Sequence, residues 1–319
     1  MRELKQREIK QYHPGSQSIL NAAFKRKVRV YKLLKNERIF ILKKGTKTVW
    51  FRGPRLSVSN PVSLWLVKDK FLTKEILKEV GIPFPKGISV TTAEEAAGAA
   101  ARIGYPVVVK PRSHEGGKGV FLDIRSPEAV KKFFKHALKY DKNILVEKQV
   151  FGKYYRITLV SNKVAGILET ESICLIGDGK NTAKNLIKKY EKDTGNTSVI
   201  TNKTKDILLF QGLKLNSVPK KNKKFIISFS GADGGEWIDR TDEISRENKN
   251  LLIKLSKYLD LNVVSVDLIA SDISRPITSP ASPGYLLEIN GAPEFVFHLK
   301  PTKGKVRDIG EEMIKALFD

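Results

Sequence analysis

Hydrophobic and polar positions divide this chain into stretches of period two and stretches of helical period, punctuated by glycine and proline. Residues 1–40 are basic and mixed, with a helix-like stretch around Ile19–Leu34. Arg38–Lys43 and Thr48–Arg52 alternate and read as short strands joined by a turn at Lys44–Gly45. A helix is predicted over Lys68–Val80, ended by Gly81 and Ile82-Pro83-Phe84-Pro85, where proline cannot continue it. Ala93–Ile103 predicts a second helix closed by Gly104. Val107–Lys110 reads as a short buried strand, Pro111–Gly119 as a loop and Val120–Ile124 as a strand. Pro127–Tyr140 predicts a helix and Ile144–Gln149 a strand.

Beyond Gly152 the pattern turns to strands. Tyr155–Ser161 and Val164–Glu169 predict a hairpin around Asn162-Lys163, and a helix near Thr182–Lys192 follows the turn Gly177-Asp178-Gly179. Residues 193–223 read as polar and irregular, with a short apolar stretch at Ile207–Phe210. Asn248–Leu259 is an amphipathic helix. Val263–Ala270 and Tyr285–Ile289 are buried strands separated by a Ser/Pro-rich loop at Ile273–Gly284, and a helix over Val306–Phe318 follows. The sum is an α+β or α/β protein with an antiparallel sheet in its second half.

Composition narrows the class. With 319 residues, 41% of them hydrophobic, the chain can bury a full core as one large domain or a few small ones. No apolar run approaches the roughly 20 residues that span a bilayer. Met1–Lys10 is charged without an apolar core behind it, so neither a signal peptide nor a membrane partner is expected. Cys174 is the only cysteine, which excludes a disulfide framework and a thiolate zinc site, fits a reducing cytoplasm, and suggests a small buried apolar residue. Trp50, Trp65 and Trp237 are expected in the core.

The formal net charge of +24 creates a field that attracts polyanions. Because the lysines are spread along the whole chain, a solvated surface is the simpler reading. No aromatic-interleaved basic cluster or known nucleic-acid pattern occurs, so a nucleic-acid partner is not expected from the charge alone. An anionic substrate or carrier, and a homo-oligomer, are both compatible with it.

Three segments carry candidate chemistry. Tyr105-Pro-Val-Val-Val-Lys110-Pro111, followed by Ser113-His-Glu-Gly116-Gly117-Lys118-Gly119-Val120, is a strand delivering a lysine into a glycine-rich turn. Glycine admits phosphate oxygens close to backbone N–H groups and lysine adds a point charge; an ordinary hairpin turn is the alternative. It is not a P-loop, whose order and following helix are absent. Asp267 lies in an apolar strand, while Glu288 and Asn290, two apart at the end of another, face one side. Such a set suits a hard cation held together with phosphates, or else strand-end carboxylates held by lysines or backbone. Third, Glu147 and Arg156 flank a strand-to-strand hinge at Gly152 and could hold a ribose and a phosphate.

Together these strings resemble the ATP-grasp superfamily, most nearly the ATP-grasp part of the cyanophycin synthetases and of the bifunctional glutamate–cysteine ligase/glutathione synthetases. The likeness runs from about Lys68 onward. It rests on Lys70-Phe-Leu-Thr73-Lys74, Gly81-Ile-Pro-Phe-Pro85, Val108-Val-Lys110-Pro111, Gly116-Gly-Lys118-Gly119-Val, Val146-Glu147 and Gly152-Lys-Tyr-Tyr-Arg156. It continues through Gly177-Asp-Gly179-Lys-Asn-Thr182, Gly234-Gly-Glu-Trp-Ile-Asp239, Val266-Asp267-Leu-Ile, Leu287-Glu288-Ile-Asn290-Gly-Ala-Pro293, His298-Leu and Gly304-Lys-Val-Arg307.

The resemblance implies a nucleotide held between two α+β subdomains and a reaction joining a carboxylate to an amine through an acyl-phosphate, on an amino acid or short peptide. It implies ATP contacts by Lys70, Lys110, Ser113, Gly116, Gly117, Lys118, Gly119, Glu147, Lys148 and Val150. Arg156 and Lys110 would act in catalysis. Asp267, Glu288 and Asn290 would hold one or two Mg2+, with Mn2+ as a substitute, and His298 and Arg307 would face substrate. It divides the chain into a small basic N-terminal subdomain (1–66) and an ATP-grasp domain (67–319), the latter split at 67–105, 106–150 and 151–319.

Departures fall on the substrate side. Relatives carry Arg-x-Pro-Ala where this chain has Thr170-Glu171-Ser172-Ile173, an Asn-x-x-Pro-x-Arg-like element is replaced by Lys192-Asp-Thr-Gly195-Asn, and Glu294 replaces a small residue. The expectation is a stand-alone ligase that keeps ATP but takes a different substrate from either relative. Its rivals are a MgATP-binding or nucleic-acid-associated protein that has lost the chemistry, and a carboxylate kinase.

Overall fold

A computed structural model describes residues 1–34, 38–113, 117–170, 172–195, 199–228 and 236–319. The chain opens with strand β1 (Arg2–Glu3), helix α1 (Pro14–Lys25) and strands β2 (Arg29–Lys32), β3 (Phe40–Lys44), β4 (Lys47–Arg52) and β5 (Arg55–Leu56). The five strands form one antiparallel sheet in chain order. The helix expected over Ile19–Leu34 is thus two elements. His13 caps α1 with Pro14 in its first turn, Lys27 takes a left-handed φ of 56°, and Val30 and Lys32 then alternate inward as strand residues.

This sheet does not close its own core. Helix α9 (Ile309–Phe318) packs Ile309, Met313, Ile314 and Leu317 against Ile19, Leu20 and Ala23 of α1, in one cluster with Phe40, Leu42 and Phe51. The two helices meet at Gly310, where an added Cβ would lie 1.9 Å from Ser18 Oγ and 2.7 Å from the Ile19 nitrogen. Gly310→Ala, normally favourable inside a helix, is therefore expected to cost about 1–3 kcal/mol in chemical denaturation.

Helices α2 (Pro61–Leu66) and α3 (Leu72–Val80) lead into β6 (Gly87–Val90), α4 (Ala93–Ile103), β7 (Val107–Pro111), β8 (Phe121–Ile124), α5 (Pro127–Ala137) and β9 (Ile144–Lys148). The sheet order is β6-β9-β7-β8, covered by α4 and α5. Strands β10 (Lys153–Val160), β11 (Lys163–Thr170), β14 (Trp237–Asp239), β15 (Val263–Ala270) and β16 (Gly284–Asn290) form the antiparallel sheet expected in the second half, in the order β14-β11-β10-β15-β16. One face, including Ile157, Val266 and Leu268, packs on α3 and on α8 (Arg246–Leu259).

Between β11 and β14 sits a small unit: β12 (Ile173–Ile176) pairs with β13 (Lys224–Ser228) beside α6 (Ala183–Thr194) and α7 (Asn202–Phe210). Residues expected to be irregular thus include a helix, started by Thr201, which accepts the Thr204 N–H. Its apolar side joins Val199, Leu208, Phe225 and Ile227 in a separate core. Cys174 is exposed, and so are Trp50 and Trp65, contrary to expectation; only Trp237 is buried, stacked on Phe297 at 4.8 Å.

Candidate active site

Strand register assembles the site. Arg156 on β10 lies opposite Asp267 on β15, which lies opposite Glu288 on β16, so three charged side chains form one row across the sheet. The next row on that face runs from Thr158 through Ser265 to Asn290. Residues two apart on a strand share a face, so the apolar core claims the odd positions of β10 and leaves its even ones to the site.

Arg156 grips Asp267 bidentately, Nε to Oδ1 at 2.9 Å and the outer nitrogen to Oδ2 at 3.0 Å. Burial pushes the Asp267 carboxyl up, but the guanidinium outweighs it and holds the group below its ordinary value. Glu288 goes the other way: burial and the neighbouring Asp267 charge raise it, against the pull of Lys70 at 3.5 Å. Two carboxylates in register with a carboxamide two residues on make an oxygen-only donor set. Among the described residues no cluster of three or more His, Cys, Asp or Glu occurs. Two carboxylates and a carboxamide are nevertheless the donors that a hard cation such as Mg2+ takes alongside water and phosphate.

The second half of the site faces from the four-stranded sheet. Glu147 on β9 lies opposite Val108, so Lys110, two residues along β7, shares its side. The Glu147 carboxylate, 2% exposed, sits 2.7 Å from Lys74 Nζ and 2.5 Å from Lys110 Nζ. Burial alone would raise Glu147; the two ammonium groups more than offset that, and its pKa is lowered. Gly87 makes room, since a Cβ there would lie 2.9 Å from Glu147 Cγ. Lys74 also donates to the Pro85 carbonyl at 2.7 Å, and burial pushes its pKa down.

Lys70, 7% exposed, bridges the two halves. Its backbone N–H donates to the Arg112 carbonyl at 3.1 Å, and Arg112 in turn binds Asp69 through Nε at 2.7 and 2.8 Å. Asp69 also accepts the Phe71 and Leu72 N–H groups, and so starts α3 at Leu72 rather than at Lys68. Asp69 and Arg112 were not singled out from sequence, and Lys74 entered only within the family's string, without a role. The one available signal was the density of charge around Lys70 in a segment that must pack.

The remaining expected residues divide. Ser113 N–H donates to Asp141 at 2.7 Å, and Gly117 and Gly119 adopt left-handed φ values of 68° and 70°. Lys118 is exposed, while Gly116 lies outside the described residues, as do Glu171 and Gly234. Lys148 spends its ammonium on the Gly104 and Tyr105 carbonyls at 3.0 and 2.8 Å, next to the half-buried Val150.

Arg307 precedes α9 instead of opening it. It is held by Asp239 at 2.9 Å and Asp242 at 2.8 Å, beside a separate cavity of about 650 Å³. His298, 1% exposed, meets Thr158 Oγ1 at 3.0 Å. Burial first, then Arg156 and Arg307, lowers its pKa from 6.5 to about 3. A histidine buried neutral must charge when the chain unfolds. Its folded pKa lies below its unfolded one, so stability is expected to fall as pH drops from about 6.5 toward 3, and this slope should vanish from the melting curves of His298→Asn.

The fold is that of the ATP-grasp proteins. A family model described as "Carbamoyl-phosphate synthase L chain, ATP binding domain" matches residues 69–160, from Asp69 to the end of β10. Cyanophycin synthetase of a Nostoc species is 32% identical over 265 residues, covering 79% of this chain and 29% of its own. The bifunctional glutathione biosynthesis protein of Clostridium perfringens is 27% identical over 320 residues, covering 96% of this chain and 41% of its own. The crystal structure of a bifunctional glutathione synthetase from Pasteurella multocida superposes with a TM-score of 0.63 at 24% identity, covering 97% of this chain and 44% of that one. Residues 69–160 therefore carry an ATP-grasp domain, and the chain spans less than half the length of each of these relatives.

Proposed function

We propose that this chain is an ADP-forming ligase that joins a carboxylate to an amine, on an amino acid or short peptide. The carrying observation is the registered row Arg156–Asp267–Glu288, facing the buried lysines around Glu147 across Lys70. Phosphoryl transfer asks for positioning and charge neutralisation more than for a protein nucleophile, and this arrangement supplies both.

In this reading Lys70 and Lys110 take ATP phosphates, and Ser113, Gly116, Gly117, Lys118 and Gly119 cover them. The backbone around Lys148 and Val150 takes the base. Glu147 spaces the two lysines and, with one carboxylate oxygen lacking a hydrogen-bond partner, keeps an acceptor for the nucleotide. Asp267, Glu288 and Asn290 would hold one or two Mg2+, which when bound offset the charge of the phosphates. The substrate carboxylate oxygen attacks the γ-phosphorus, the bond to ADP breaks, and Arg156 faces the charge that builds up. The amine then attacks the acyl carbon, the carbon–oxygen bond breaks, and the departing phosphate takes the proton that the amine gives up. His298, with its pKa near 3, is too weak a base to accept the amine proton at neutral pH, so its part is to pack behind the site.

The test is ADP release with MgATP against a panel of amino acids and short peptides, with mass spectrometry of the products. An amide formed with stoichiometric ADP is the expected result. ADP release with a hydroxylamine-trappable acyl-phosphate but no amide would make the chain a carboxylate kinase. Failure to bind MgATP would sink the reading.

A further inference from the structure

Residues 172–228 hold twelve lysines, no arginine and four acids, so a third of the chain's net charge of +24 lies in the small unit between β11 and β14. Its acids do little to offset that. Asp178 accepts the Lys180 and Asn181 N–H groups of its own turn, Glu191 accepts the Val199 N–H, and Asp206 accepts the Tyr140 hydroxyl at 3.2 Å. Asp193 pairs with Lys189. Among the described residues Lys180, Lys184, Lys188, Lys214, Lys220 and Lys221 are exposed and have no ion-pair partner.

The fold sets these six lysines in one track. Lys184 and Lys188 lie one turn apart, about 6 Å, on the side of α6 that its buried residues Ala183 and Ile187 leave free. Residues 214–222 run beside that helix and the turn before it. The Lys184 N–H donates to the Leu215 carbonyl and the Ala183 N–H to the Ser217 carbonyl, both at 2.8 Å, which sets Lys214 next to Lys184. At the Gly177–Gly179 turn, the Gly179 N–H donates to the Pro219 carbonyl at 3.3 Å and Gly177 accepts the Asn222 N–H at 2.8 Å. A Cβ on Gly179 would lie 3.1 Å from Lys221 Cβ, so Lys180 joins Lys220 and Lys221. Ile187, Val199, Leu208 and Phe225 form one core beneath, which holds the track in shape.

The make-up of this face identifies the partner. A small anion engages one or two of the lysines, whereas a polymer of closely repeated charge engages the whole track. A nucleic-acid duplex carries one negative charge per about 1.7 Å. Protein interfaces are built differently, with lysine depleted at the centre and aromatic residues, Met and Arg enriched. Here exposed Asn181, Asn185, Asn216 and Asn222 are interspersed with the lysines, and asparagine is among the side chains that contact phosphate and sugar. Among the described residues no aromatic ring of this unit is exposed, so it offers no platform for unstacked bases. Ile176 and Val218 are its only exposed large apolar side chains in the described part, too few to insert into a bilayer.

We infer that the outer side of α6 and the segment 214–221 bind the phosphodiester backbone of a nucleic-acid duplex, DNA or RNA, without reading its sequence. This goes beyond the ligase reading and does not rest on it. Charge alone did not point there, because nothing local in the sequence says that Lys180 and Lys184 meet Lys214, Lys220 and Lys221.

Fluorescence anisotropy on the full chain, with labelled DNA and RNA duplexes of about 20 base pairs in two unrelated sequences, tests this across a salt series. Wild type is compared with the triple variant Lys184→Gln, Lys188→Gln, Lys221→Gln. A second triple, Lys78→Gln, Lys135→Gln, Lys257→Gln, removes the same charge from exposed positions elsewhere. Unchanged unfolding midpoints show that both variants fold. The track variant is expected to lose about tenfold or more in affinity at about 0.1 M salt, and its slope of log affinity against log salt to shrink by about 2–3. The second triple is expected to stay within about twofold of wild type, and the two sequences to bind alike. Wild-type binding weaker than about 100 μM, or equal losses in the two triples, overturns the inference. So does binding of polyglutamate or of phosphatidylserine vesicles as tight as that of the duplexes, which would make the face a general polyanion or membrane surface.

Discussion

Glu147→Gln is expected to destabilise the protein by about 3–5 kcal/mol, because it keeps the shape of the side chain and removes the one charge that lets two lysines stay buried. Lys74 and Lys110 are 6% and 7% exposed, and their ammonium groups lie 2.7 and 2.5 Å from the same carboxylate. Breaking a buried ion group by removing one member leaves uncompensated charge, which costs far more than the intact group contributes. Urea denaturation should show the midpoint falling with an unchanged slope. The double change Glu147→Leu with Lys74→Met should recover part of the loss, since it removes charge from both sides. The pH dependence follows from the sign of the shift. Glu147 has a folded pKa below its ordinary 4.5, so its contribution is present above that value and is lost as pH falls through the lowered one. Wild type and Glu147→Gln should converge in that range. A loss below about 1 kcal/mol at neutral pH would mean that the lysines find other partners and that Glu147 does not organise this side of the site.

Glu288→Gln is expected to lower ADP formation by at least about 100-fold while leaving stability nearly unchanged. Its side chain is 29% exposed and opens on a cavity, so an amide is sterically tolerated. Two stability effects oppose each other: relief from the Asp267 charge, which raises the Glu288 pKa, and loss of the Lys70 contact at 3.5 Å. The proposed cation site, by contrast, would lose one of its two carboxylates. Half-activation should therefore move to much higher Mg2+ concentration. Asp267→Asn would be a poorer probe, since it strips the buried Arg156 of its bidentate partner. Activity within about twofold of wild type would remove Glu288 from the metal set.

Much of this site was legible because its chemistry sits on strands with unambiguous alternation. Once Val263–Ala270 and the strand ending at Asn290 are read as period two, Asp267, Glu288 and Asn290 follow as side chains of a shared face. What alternation could not supply is lateral register: nothing local in sequence says that Arg156 opposes Asp267, 111 residues away. Glu147 shows the same limit. Its position on a buried strand was readable, but not that the ammonium group of Lys74 reaches it from a helix. The error at Ile19–Leu34 is of another kind. There a lysine in a left-handed conformation turns the chain, and a four-residue strand is too short to outweigh the helical signal before it. The helix at Asn202–Phe210 was hidden by polar flanks, because its apolar side serves only a small local core.

The closure of the N-terminal sheet by α9 has a consequence for the order of folding. Ser18 Oγ donates to Asp308 at a separation of 290 residues, Arg26 meets Glu311 at 2.5 Å, and Lys44 reaches the Phe318 carbonyl. The strands of that sheet, made before α9 on the ribosome, must therefore wait, with Phe40, Leu42 and Phe51 uncovered, until residues 309–318 emerge. Closing so long a loop is costly in chain entropy, and exposed strand edges and apolar faces are what chaperones bind and what aggregates. Arg55, at the edge of that sheet, consequently reaches its place beside Glu288 and Asn290 among the last events of this sheet's folding, after residues 309–318 have been made.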